Sequence, residues 1–425
     1  MRKVSFLTAV ILIASIFTSP QANAGTVKAG AVCTTADATS AVAGVKFTCI
    51  KLGKKLIWSK GVKVLAKSGT SVTFKAPIPI TLPISQSTDP KSITFSNILS
   101  RVADIPTASY NSNEAVIAVN ALPIVPYDIF ISPDIAGSIT KSHVSELIDR
   151  SLKLFAGFQE PKYFAVYIYD YKGVSWAENK YEENAQTRKY SSIKGYMDRF
   201  AHDVDTTCNA QNCGGTSAGM IRGSNEGYMA IASGGGSDPE GFLFSPNVPH
   251  SFIHLVQKSQ WDGTQIDDVN AYQNKVVPFW FFEGAAGAPA MIFTKSLQSY
   301  LDSRSWVFYR LGGTGLKNLT AQAMTNYLLS GSSTTTIDVN GNPIAGNGGP
   351  GSLMGNLGNP LGGLATEALD AIAGPQSLMA LTALVANGSS MEDAFLKVYG
   401  VSWTQGTQVL GQVLAAEFKQ NPPKP

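Results

Sequence analysis

The chain has 425 residues, 44% of them hydrophobic and 15% charged, with a formal net charge of +3 at pH 7. Such a composition supplies ample core and excludes a disordered, highly charged chain. The near-neutral balance excludes a nucleic-acid binder, which needs a dense basic face, and gives no electrostatic grip on a membrane surface.

The N-terminus reads Met1-Arg2-Lys3, then an apolar run from Val4 to Phe17, then Ala22-Asn23-Ala24 before Gly25. These are the three parts of a secretory signal peptide over 1–24, with cleavage expected near Ala24. The run is shorter than the roughly 20 residues of a spanning helix, and Pro20 breaks it. No later stretch is long and apolar enough to cross a bilayer. The expectation is a protein that is secreted or held at the bacterial cell surface, with no transmembrane segment in its mature form. The four cysteines fall into two local pairs, Cys33 with Cys49 and Cys208 with Cys213. In an exported chain this reads as two disulfides; a four-thiolate metal site would favour C-x-x-C knuckles, which are absent.

Residues 25–60 read as a small disulfide-stapled β module. Val45–Ile50 and Leu56–Trp58 form a hairpin around Gly53-Lys54-Lys55, marginal without the Cys33–Cys49 bridge. The module is similar to short C…C…W units near the N-terminus of some actinobacterial exported proteins, leaving wall binding and a structural spacer as its two readings. Residues 61–109 read as a Ser/Thr/Pro-rich linker, and the main domain is expected over 110–425. Within it, Ala115–Val119, Asp128–Ile131, Tyr163–Tyr169 and Gly227–Ala232 read as strands, and 138–158 as a helix. Helices are expected at 249–260, 278–293, 295–302, 319–330, 376–387, 390–399 and 403–419, with a Gly/Asn/Pro-rich loop over 340–363. The fold class is α+β: a mixed sheet with helices, followed by a mainly helical C-terminal half.

The chemistry concentrates in Pro249-His250-Ser251-Phe252-Ile253-His254. Histidines four apart on a helix share a face and can reach one metal ion. Glu283 follows, inside Trp280-Phe281-Phe282-Glu283-Gly284-Ala285-Ala286. Here the chain resembles the gluzincin metallopeptidases, which carry HExxH on one helix and a glutamate ligand on a second, often within W-x-x-E-G-x-A. The tail, Gly388–Phe395 and then Val398–Ser402, looks like the helical end of such domains. The resemblance implies a zincin-like fold over 110–425, with zinc held by His250, His254 and Glu283. Two imidazoles and a carboxylate leave a fourth position open for a water, whose pKa falls to about 7 when bound.

The family's general base stands beside the first histidine; here that position is Ser251, a poor base near neutral pH. Pro289 is expected to end or kink the ligand helix early. The stretch 373–377 lacks the tyrosine many relatives use for the oxyanion, with Tyr309 and Tyr327 as substitutes; Glu226 and Asp262 are distant candidates for a rescuing base. His143 reads as a surface helix residue, and His202 with Asp203 and Asp205 as a solvated loop rather than a metal cluster. The expected function is a pseudopeptidase with a zinc site that binds a peptide or cell-envelope ligand. Its alternatives are a divergent active zinc metallopeptidase and a metal-free structural or adhesive envelope protein.

Overall fold

The computed structural model describes residues 27–36, 38–42, 45–60, 62–63, 91–136, 139–190, 193–208, 213–221, 223–233, 246–264, 276–293, 296–312, 318–330, 336–338, 340–342, 344, 353–354 and 358–420. The expected signal peptide, most of the expected linker and half of the expected 340–363 loop lie outside them; residues 358–363 of that expected loop instead begin a helix, Gly358–Ala373, with Leu361 buried. The chain divides into two units, 1–70 and 71–425.

In the first unit, β2 (Val45–Leu52) pairs antiparallel with β1 (Thr39–Val42), β3 (Lys55–Trp58) and β4 (Val62–Lys63). The hairpin matches expectation, with Cys49 opposite Trp58 and the Cys33–Cys49 disulfide formed. Among the described residues of this unit only Cys33 and Cys49 are buried, and the bond between them staples a marginal core.

The second unit is α+β. Its sheet runs β5 (Tyr127–Ile131), β6 (Tyr163–Tyr169), β8 (Glu226–Ala232), β7 (Thr216–Ile221); the first three are parallel and β7 is an antiparallel terminal strand. Every residue of β6 is buried, as a central parallel strand covered on both faces requires. Phe164, Val166 and Ile168 enter the main core, while Tyr163, Tyr167 and Tyr169 point to a second, aromatic core with Tyr181, Phe200 and Tyr228. Helices α3 (Val174–Arg188) and α4 (Ile193–Thr207) cover that aromatic side, and the Cys208–Cys213 disulfide follows α4 directly.

The main core lies between the sheet and the remaining helices. These are α1 (Ile105–Val119), α2 (Lys141–Leu154), α5 (Asn247–Ser259), α6 (Phe279–Phe293), α7 (Leu297–Gly312), α8 (Ala321–Ser330), α9 (Gly358–Ala373), α10 (Pro375–Ala386), α11 (Met391–Tyr399) and α12 (Trp403–Gln420). Two short strands, Thr336–Ile337 (β9) and Leu353–Met354 (β10), pair antiparallel beside them. Among the described residues no single helix is long and apolar enough to cross a membrane; α9 and α10 would qualify only together, across a 105° bend.

Three further expectations need correction here. Ala115–Val119 is the end of helix α1, not a strand. The buried positions Ile105, Ser109, Asn113 and Ile117 recur every four residues, but two of them are polar, which hid the helical period. Residues 91–109 are not a free linker: Ile93, Ile98, Val102 and Ile105 are buried in the core. Pro289 does not end its helix; α6 runs through it to Phe293.

Helix α6 lies very close to α9. A Cβ on Gly284 would overlap the backbone of Gly362, and one on Gly362 would overlap the carbonyl of Trp280. Only glycine permits this approach, and Gly284 directly follows Glu283. Trp280 anchors α6 further: its Nε1 donates to the Leu328 carbonyl at 2.9 Å, and its ring stacks on Trp403, 6.0 Å apart and 10° from parallel.

Helix α9 also carries a buried acid, Asp370, whose Oδ2 accepts from Ser109 Oγ at 2.7 Å and from Asn113 Nδ2. Its Oδ1 has no hydrogen-bond partner. Burial pushes the carboxyl up to about 8, against the lowering by Ser109 and Asn113. An acid whose folded pKa exceeds its unfolded value costs no stability below about pH 4 and an increasing amount as pH climbs to the folded pKa. Asp370→Asn keeps an acceptor and removes the titration. Relative to that variant, the natural protein is expected to lose up to about 1.4 kcal/mol of unfolding free energy per pH unit on the way from pH 4 to 8. Urea unfolding across that range measures it; parallel stability curves would contradict it.

Candidate metal centre

Helix α5 begins after Pro246, carries Pro249 in its first turn and packs against β7, β8 and α6. Residues 251–260 are all buried, as a helix caught between a sheet and a second helix layer requires. His250 and His254 fall one turn apart on α5, and Glu283 comes from the first turns of α6.

The structure brings all three residues together. His250 Nε2 and His254 Nε2 are 3.0 Å apart, and each lies 3.6 Å from Glu283 Oε2. Among the described residues these three form the one cluster of three or more His, Cys, Asp or Glu side chains that could hold a metal ion. A tetrahedral ion with ligand bonds of about 2.0–2.1 Å needs ligand atoms about 3.3 Å from one another, and the observed triangle brackets that spacing. The side chains are 10–16% exposed, leaving solvent some access.

The electrostatics suit a cation. Burial holds the His254 imidazole below its ordinary pKa, outweighing the opposing pull of Glu283, so the ring is neutral at neutral pH. Burial raises the Glu283 carboxyl, but His254 and His250 more than offset it and hold the group well below the usual carboxylate range. The set therefore includes an ionised carboxylate and a neutral imidazole, both ready to ligate.

Neighbouring groups hold these side chains in place. His254 Nδ1 lies 2.7 Å from Gln257 Oε1, and Gln257 Nε2 donates to the Phe282 carbonyl at 3.0 Å. The His254 ring also stacks on Phe282, with centroids 4.5 Å apart. Lys258 Nζ donates to the carbonyl of Ala218 on β7.

Ser251, at the position of the general base in the resembled family, is 1% exposed and hydrogen-bonded through its hydroxyl to that of Thr216, the first residue of β7. Neither candidate for a rescuing base comes near. Glu226 binds Arg188 at the far end of β8, about 16 Å along the strand from Ile231, the partner of Thr216. Asp262 lies in the turn beyond the end of α5, whose last residue, Ser259, is already about 7.5 Å further along the helix axis than His254. Tyr327 is fully buried in α8, and the side chain of Tyr309 lies outside the description.

His143 is half-buried near the start of α2. His202 is exposed on helix α4, not on a loop, and forms no metal cluster among the described residues, where Asp203 instead accepts from the Tyr228 hydroxyl at 2.6 Å. Cys33–Cys49 and Cys208–Cys213 are both disulfides, which removes the four-thiolate alternative.

Sequence reasoning missed Gln257 and Thr216. Gln257 had a signal, an amide three residues after His254, at the spacing that puts both side chains on one face of the helix. Thr216 had none, since Thr216–Ile221 contains too few bulky residues to read as a strand. No protein family, curated protein or solved structure matches this chain.

Proposed function

We propose that this protein is a secreted, gluzincin-like pseudopeptidase that holds zinc at His250, His254 and Glu283 and captures an extended peptide of the cell envelope or its surroundings. The carrying observation is the combination of an assembled ligand triangle with Ser251 turned onto Thr216. The residues that would hold the ion are present, and the residue that would move the proton is a buried hydroxyl. Two nitrogen donors and one oxygen donor with an open fourth position favour zinc over calcium or magnesium, which take oxygen ligands. When bound, the ion supplies Lewis acidity that polarises a carbonyl.

Support for a peptide comes from the sheet. β7 is its terminal strand, and among the described residues its sole strand partner is β8. The helix carrying both histidines packs against that strand. An extended chain adding to such an edge gains backbone hydrogen bonds and runs alongside α5. Two disulfides fit an oxidising compartment.

The test is the zinc content of the purified protein beside a His250→Ala/His254→Ala control, with a peptide-hydrolysis assay on both. One equivalent of zinc that the control loses, with no hydrolysis by either, is the expected result. Hydrolysis abolished in the control would make the protein a working metallopeptidase. No zinc after incubation with the metal would leave a metal-free scaffold.

A further inference from the structure

The side-chain amide of Gln257 touches both helices of the ligand triangle, and its orientation is dictated by one of them. The Phe282 carbonyl can only accept, so the group facing it must be the Gln257 NH2. The carbonyl end, Oε1, therefore faces His254 Nδ1 at 2.7 Å, and Nδ1 must carry the hydrogen. That leaves His254 Nε2 with a bare lone pair on the side shared with His250 and Glu283. Without Gln257 the preference would reverse. The Glu283 carboxylate, 3.6 Å from Nε2, would draw the proton onto the atom that has to bind the ion.

The second bond has its own consequence. Gln257 is 1% exposed and lies on α5, while Phe282 is the residue before Glu283 on α6. The amide thus ties the helix bearing two ligands to the backbone beside the third.

We propose that Gln257 is a positioning residue for the metal centre: it holds His254 in the tautomer that exposes Nε2 and locks α5 to α6 at Glu283. This rests on the zinc reading for its purpose, though the tautomer can be measured without metal. Histidine donating its second nitrogen to a fixed acceptor is a recurring device at metal sites, and losing that acceptor weakens affinity about 10–100-fold.

The experiment has two readouts on the full protein. Nitrogen-15 NMR of the metal-free protein reports which His254 nitrogen is protonated, and competition with a chromophoric chelator reports the zinc Kd. The parent is expected to carry the hydrogen on Nδ1. In Gln257→Leu it should move to Nε2, with zinc bound about 10–100-fold more weakly. Gln257→Glu keeps an acceptor for Nδ1 and cannot donate to Phe282, so it should retain the parental tautomer and most of the zinc affinity while melting at lower temperature. A parent with the proton on Nε2 overturns the proposal, whatever the variants do. So does a folded Gln257→Leu protein whose tautomer and Kd match the parent. If the parent has the Nδ1 hydrogen but binds no zinc, the zinc reading fails alone and the assignment of the tautomer to Gln257 stands.

Discussion

Ser251→Glu, made together with Thr216→Ala, is expected to raise peptidase activity far above that of the parent. The Thr216 hydroxyl contacts Ser251 directly, so a longer side chain needs that space cleared before it can turn along α5 toward the ligand triangle. General acid–base assistance is commonly worth about 100- to 10,000-fold, and the zinc-loaded double variant should exceed the zinc-loaded parent by a factor in that range. Thr216→Ala alone should do nothing, since it removes a hydroxyl and adds no base. Hydrolysis of quenched fluorescent peptides, with zinc occupancy measured on each sample, decides the matter. A fully loaded double variant that stays inactive would show that more than the base is missing. Parent activity lost in His250→Ala would show that Ser251 never disabled the site.

Arg304→Leu should remove about 3–5 kcal/mol of stability, the largest loss expected from a single change away from the ligands. Arg304, on α7, is 6% exposed. Its Nε donates to both Glu367 oxygens, at 2.9 and 2.8 Å, and its NH2 group reaches Glu417. Tyr300 donates to Glu367 as well. One guanidinium therefore serves two buried carboxylates, from α9 and α12. Burial alone would lower its pKa, yet those two acids hold it above the ordinary value. Removing it leaves Glu367 and Glu417 buried without that cation, Glu417 with a carboxyl that burial already pushes up to about 8. Replacing Arg304, Glu367 and Glu417 together with apolar side chains should recover a large part of the loss, because the penalty lies in buried polar groups left without their partner. Urea midpoints of the parent, single and triple variants measure both effects. A single variant within 1 kcal/mol of the parent, as read on that approximate scale, would mean water reaches the cluster.

The ligand triangle was legible because its signals are local. A histidine pair at helical spacing lies on one face wherever the helix packs, and Glu283 stood among aromatic residues that foretold a buried α6. Strands β5, β6 and β8 were legible for a similar reason, since their bulky side chains fill a core on both faces. What escaped depended on partners distant in sequence. Asn113 looks like a turn residue until Asp370 is placed against it, 257 positions away. Helix α3 buries Ala177, Tyr181 and Ala185 against the aromatic core, but beyond Val174 and Trp176 in its first turn the rest of it is polar and no apolar stripe stands out. Pro289 read as a stop because its missing N–H weakens a helix, and the tight packing of α6 on α9 was not visible to weigh against it. The two groups nearest the chemistry that were missed, Gln257 and Thr216, mattered only once a second element stood beside each.

The stacked indoles of Trp280 and Trp403 give the site a built-in optical probe. Two nearly parallel indoles 6.0 Å apart couple their electronic transitions, so their near-ultraviolet circular dichroism and emission depend steeply on how α6 sits against α12. Trp280 lies just one helical turn before Glu283. Any shift of the helix bearing that carboxylate, whether from an arriving ion or a captured chain, changes the spacing or tilt of the pair and so changes the light it absorbs and emits, with no label attached.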